Sequence, residues 1–208
     1  MGLAFTDWKI TPSRILCARL RAFLFAGLVA FSLGPAVHAQ ESVVQLDAAQ
    51  TNVEFTLGDV LHTVHGMFKL KSGMIRFDPA SGKASGAIIV DATSGDSGNG
   101  SRDGKMHREI LESGKYAEII FTPDRVKGAP APRGTSQIEV SGQFHLHGDD
   151  HEVTLPIDIR ADGRQLQFTT HLVIPYVQWG LKNPSTFLLR VSDKVNIDIQ
   201  AVAHYVSP

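Results

Sequence analysis

The chain carries a single cysteine, Cys17, and it stands ahead of an apolar run near the N-terminus. A lone thiol forms no intramolecular disulfide, and a cysteine placed before such a run is not at an acylation position. A disulfide scaffold is therefore excluded. Long hydrophobic stretches are scarce too. The run Ala22–Leu33 holds twelve residues, short of the roughly 20 that a helix needs to span a bilayer, so no stable membrane span is expected. Nor is one sign of charge in excess: 20 Lys and Arg face 21 Asp and Glu, a net charge of −1. Without a basic patch the phosphate neutralisation that drives nucleic-acid binding is missing, and no nucleic-acid partner is expected. Neither G-x-S-x-G nor a glycine loop ending in GK[ST] occurs.

What the sequence does contain begins with a leader. Arg14, Arg19 and Arg21 precede the apolar run, Gly34-Pro35 ends it, and Val37-His38-Ala39 supplies the residues a signal peptidase reads. This is the layout of a cleavable secretory signal, residues 1–39, with cleavage near Ala39/Gln40 and a periplasmic or secreted destination. Met1–Pro12 is long for its basic segment, which points to a start further in. Removing the leader leaves sixteen basic and twenty acidic residues, a charge of −4, and no thiol. Residues 40–208 suffice for one core and read as one domain, monomeric or homodimeric.

The remainder alternates with period two. Val53, Phe55 and Leu57 form one row. Val64, Phe68 and Leu70 follow around Gly66, then Ile75 and Phe77 after Gly73, Ile88 and Val90, and Ala117, Ile119 and Phe121. The second half is cleaner: Ile138, Val140, Phe144 and Leu146, then Val153, Leu155, Ile157 and Ile159, then Leu166, Phe168 and Leu172. Leu189 and Val191, and Val195, Ile197, Ile199, Ala201 and Ala203, complete the set. Such rows are strands with one dry face, and about nine of them joined by short turns predict an antiparallel barrel or sandwich. Between Ser101 and Ser113 the period changes. Met106, Ile110 and Leu111 fall at helical spacing, with Gly114 where a C-cap glycine would stand. A lone amphipathic helix must lay Met106 and Ile110 on something apolar, and the end of a barrel offers that. Ser94–Gly100 reads as a flexible connection and Gly128–Gly134 as a hairpin loop.

Six inward phenylalanines (Phe55, Phe68, Phe77, Phe121, Phe144 and Phe168) sit on six rows. Alternation leaves open whether they fill a sandwich core or surround a hollow, since an eight-stranded barrel can do either. Nine histidines raise a metal-dependent enzyme as a rival. His145 and His147 at i, i+2 would share a wet face, with His151 across the Gly148 turn. A polar outer face with an Asp-rich turn explains them better, because an exposed pair lacks supporting partners. His62 shares the parity of Val64 and would point inward. Glu109 and Glu112 read as solvated, and Asp103 as an acid suited to the helix dipole. Pro175–Ser185 is a long connection in which Tyr176 and Trp179 either border an entrance or pack over the barrel end.

Thr63-Val64-His65-Gly66-Met67-Phe68, Ile75-Arg76-Phe77-Asp78-Pro79, Ser101-Arg102-Asp103 with Met106, and Lys115-Tyr116 before Ile119-Ile120-Phe121 recur in a fixed order. With Ser141-Gly142-Gln143-Phe144, Gly148 and Val191-Ser192-Asp193-Lys194-Val195, they resemble the polyisoprenoid-binding YceI-like family from about Val43 to Tyr205. The resemblance implies an all-β, about eight-stranded antiparallel barrel similar to lipocalins, with one short amphipathic helix capping an end. It implies a tunnel for an isoprenoid or other amphiphilic lipid, no catalysis and no cofactor beyond that lipid. The lining expected from both lines of reasoning is Phe55, Phe68, Phe77, Ile88, Val90, Phe121, Phe144, Leu146, Phe168 and Leu172. Met106 and Ile110 would close one end and Trp179 would border an entrance. Three positions depart from the family pattern: no histidine at Gly58-Asp59, Ala117 in place of a proline, and no arginine between Pro175 and Gly180.

Overall fold

The period-two rows become long antiparallel strands in the computed structural model, which describes residues 41–58, 62–187 and 190–206. The leader and Leu189 lie outside those residues. The strands are β1 (Ser42–Leu46), β2 (Asn52–Gly58), β3 (Thr63–Phe77), β4 (Ala84–Asp96), β5 (Glu118–Lys127), β6 (Arg133–Leu146), β7 (Asp149–Asp162), β8 (Gln165–Ile174) and β9 (Val195–Val206). From β2 to β9 each strand pairs with the next in the chain, and β9 returns to β2, closing an eight-stranded barrel. The ninth strand shares a place. β1 pairs the far half of β3 (Val44↔Ile75) and the end of β9, while β2 pairs the near half of β3 (Val53↔Phe68) and the start of β9. A single 3₁₀ turn, Ala48–Gln50, capped by Asp47, steps between them. Closure gives every strand a partner on both sides, although β7 meets β8 only over residues 157–162.

Three register shifts bend the wall, the first between Met67 and Lys69 in β3. The rows around Gly66 and Gly73 are one 15-residue strand, and a register shift between Leu70 and Ser72 switches its inward parity from even to odd. In β5 the shift falls between Pro123 and Arg125, where a bulge tolerates a proline that would break a regular ladder. The strand therefore runs on to Lys127, past the expected row ending at Phe121. At Leu146↔Asp149 the hairpin closes on His147 (φ 55) and Gly148 (φ 93), a two-residue turn with both residues left-handed. Val191 forms no strand; it is one bridging residue in the 181–194 connection.

The helix is shorter than its spacing predicts. α1 covers Gly100–Lys105, and Met106–Ile110 continue as a wider π turn. It ends at Glu112, which takes the left-handed conformation (φ 45) while Ser113 N–H donates to the His107 carbonyl at 3.0 Å. Gly114 is thus not the cap. Nor is the preceding connection loose. Asn99 accepts from Arg102 N–H at 3.1 Å, and Asp103 accepts from Ser97 N–H at 3.0 Å and from its hydroxyl.

Inward side chains form two apolar groups. One surrounds Val140, Leu155, Ile159 and Leu166; the other, toward the helix, gathers Val53, Phe55, Leu146, Ile174 and Tyr176.

Candidate functional site: the barrel lumen

Large residues face small ones across the ladder, so the rings do not interlock completely. Phe55 lies opposite Gly66 and Phe168 opposite Ala201. A Cβ on Gly66 would sit 2.3 Å from the Phe55 ring, so only glycine admits that ring. Two cavities result. The deeper one holds about 170 Å³ and is lined by apolar side chains apart from Thr51 and Thr170. The one at the helix end holds about 710 Å³, within the roughly 300–1,000 Å³ typical of ligand pockets. Phe68, Ile119, Ile174 and Ile197 line both, so the two meet there.

Phe77, Ile88, Val90, Phe121, Phe144, Phe168 and Leu172 line the deep cavity. Phe55, Met106, Ile110 and Leu146 line the wide one, and Phe68 belongs to both. Trp179 borders neither. Its ring stacks on His151 at 4.0 Å and 3° and lies 5.8 Å from Phe144, so it packs over the barrel end. Tyr176, one of the two aromatics read as bordering an entrance, does line the wide cavity. Sequence reasoning missed Pro130, which brings the β5–β6 hairpin loop onto the deep cavity, and Leu181 at the wide one. Proline and leucine in a connection carry no periodic signal. The basic residues Arg102, Lys105 and Arg108 on the wide cavity were missed as well; each reads as ordinary helix surface.

Polar contacts hold the mouth. His107 donates from Nε2 to the Gly95 carbonyl at 2.9 Å, and its Nδ1 meets the Ser113 hydroxyl at 3.0 Å, tying the helix to β4. The Tyr176 hydroxyl donates to the Ser192 carbonyl at 2.6 Å. Burial, with Asp193 nearby, pushes its pKa up to about 12. Partial desolvation works to raise the Asp103 carboxyl, but the Ser97 donors and Arg102 outweigh it and hold it below the usual carboxylate range.

Among the described residues the histidines do not gather into a group that could hold a metal ion. His145 pairs with Asp150 at 2.7 Å. His147, drawn out of the strand pattern by its turn, packs on Tyr116 with ring centres 4.5 Å apart. His151 shares the inward parity of Val153 and takes Trp179. His62 is exposed rather than inward. Glu112 is not simply solvated: it lies 3.7 Å from His147 and 3.8 Å from Lys182.

Fold and site together define a lipocalin-like barrel, closed, with an apolar lumen and a helix at one end. The chain belongs to the YceI-like family, whose domain model matches residues 44–203. No curated protein sequence matches it. Among solved structures it is similar to BcnA of Burkholderia cenocepacia at 19% identity and a TM-score of 0.62, covering 76% of this chain and 98% of that one. A polyisoprenoid binding domain from Saccharophagus degradans, implicated in plant cell wall breakdown, matches at 17% identity and 0.61, covering 78% and 98%. A mutant Campylobacter jejuni YCEI protein matches at 14% and 0.52 over 94% of both chains. Among the described residues no helix is long and apolar enough to cross a membrane.

Proposed function

We propose that this chain is an exported carrier that holds one isoprenoid or similar amphiphilic lipid in its lumen and leaves it chemically unchanged. The observation that carries the reading is a wide cavity at the barrel mouth meeting a narrow apolar one at Phe68, Ile119, Ile174 and Ile197. That shape fits a head near the helix and a chain running inward. Family membership supports it, as does the fold shared with a neighbour described as a polyisoprenoid binding domain. The apolar gain and the cost of association are of the same order. Burying about a dozen methylenes at about 0.8 kcal/mol each supplies roughly 10 kcal/mol, against an association cost of about 4–15 kcal/mol. Affinity then rests on how completely the chain is enclosed. The non-catalytic part of the reading is supported by the deep lining, where Thr51 and Thr170 are the polar side chains among the described residues. Export rests on the leader pattern of residues 1–39.

Organic extraction of the purified protein with mass spectrometry tests the reading. One lipid per chain is expected. Lipid-free extracts, with no uptake of an offered isoprenoid quinone, would overturn it. Export is tested separately by N-terminal sequencing of the periplasmic fraction, where a chain starting at Gln40 is expected; an unprocessed cytoplasmic chain contradicts it.

A further inference from the structure

The wide cavity is apolar on its walls but not on its rim. Arg102, Lys105 and Arg108 line it from the helix side. All three come from the one helical segment Gly100–Ile110, while its Met106 and Ile110, and Leu111 after it, join the apolar wall. Arg102 is committed to the loop, with Nε donating to the Ser97 hydroxyl at 2.7 Å and Nη2 to the Ser97 carbonyl at 2.8 Å. The other two are not committed. Among the described residues neither the Lys105 ammonium nor the Arg108 guanidinium has a hydrogen-bond or ion-pair partner. Among the described residues Glu109 is the one acid on the cavity lining and is likewise unpaired, while Asp103 is turned to Ser97. Two free cations against one carboxylate leave the rim positive in a protein whose total charge is −1.

From this we infer that the lumen takes an amphiphile with an anionic head, a phosphate or carboxylate on a single long apolar chain, gripped by Lys105 and Arg108. The inference rests on the carrier reading and adds the head-group class to it. A pair of cations on the rim of an apolar cavity matches such a molecule at both ends. Guanidinium and ammonium groups are the usual partners of these oxyanions.

The test compares hexadecyl phosphate, palmitate and hexadecanol, below their aggregation limits, by displacement of a fluorescent lipid probe from the delipidated full chain. Both anions should bind about 10-fold or more tighter than the alcohol, a preference that shrinks as salt is raised. The double variant Lys105→Gln/Arg108→Gln should lose that preference while keeping the alcohol's affinity, which also shows that the variant is folded. Glu109→Gln should tighten the anions a few-fold and leave the alcohol alone, because it removes a like charge. Equal binding of alcohol and anions overturns the head-group inference and leaves the carrier reading standing. Binding of none of the three overturns both. Displacement of hexadecyl phosphate by inorganic phosphate at equal concentration would make the rim a free-anion site and also overturn the inference.

Discussion

Gly95 sets how closely the helix approaches the barrel wall. A Cβ there would lie 2.5 Å from the Phe68 ring and 2.7 Å from the Met106 methyl. Valine at this position must push both into the junction of the two cavities. Gly95→Val is expected to lower the folding free energy by about 1–3 kcal/mol, the usual cost of overpacking, and to weaken lipid uptake about 10-fold. Thermal unfolding and probe displacement measure the two effects; unchanged uptake would mean that the lipid does not pass Phe68. Tyr176 makes a pH prediction. Its folded pKa is about 12 against an ordinary 10.0, so its contribution is complete below 10 and is lost as pH rises toward 12. The connection around Tyr176 should loosen over that interval, followed by exchange of nearby amides, and Tyr176→Phe should abolish this alkaline step. At this scale the sequence was partly legible. The inward phenylalanines followed from alternation, but which glycine lies beneath which ring depends on register, and no single strand encodes its neighbour's register. His147 was misplaced for a related reason: alternation stops where a turn begins.

The helix and its flanking loop act as one element. Asn99 caps the helix, Asp103 binds Ser97, and His107 anchors to Gly95. Asn99→Ala should cost about 1 kcal/mol and raise the exchange of amides in Gly100–Ile110 more than those of β6. Asp103 titrates the same element. Its carboxyl is held below the ordinary 3.8, so its stabilisation is present above that value and is lost as pH falls through the lowered one. Lipid release in acid should begin in this range, and Asp103→Asn should remove the dependence; release insensitive to that change would show that the Asp103–Ser97 contact does not hold the lipid in. The apolar spacing of Met106, Ile110 and Leu111 made the helix visible in advance. Its end was not visible, because Glu112 adopts a left-handed conformation usually left to glycine. The bulges at Leu70/Ser72 and Pro123/Arg125 were equally hidden, since a parity switch looks like two short rows.

For the whole molecule, alternation could not separate barrel from sandwich. The ladder does, through the return of β9 onto β2 and the sharing of one position by β1 and β2. The contacts with β9 join residues well over a hundred positions apart in the sequence, which no local pattern carries. The family resemblance supplied that information because it compares entire orders of motifs. The hollow is bordered by places where a ring has a small partner across the ladder, Phe55 opposite Gly66, Phe77 opposite Ala84 and Phe168 opposite Ala201. The central claim is that this space is where the lipid lies. Phe144, on the deep cavity and beside Trp179, is the position to challenge it. The direct measurement is uptake of an isoprenoid chain by wild type and by Phe144→Arg, with far-UV circular dichroism confirming an intact barrel. A buried unpaired guanidinium in the tunnel should abolish uptake; a folded variant that still binds with wild-type affinity would place the lipid elsewhere and contradict the account.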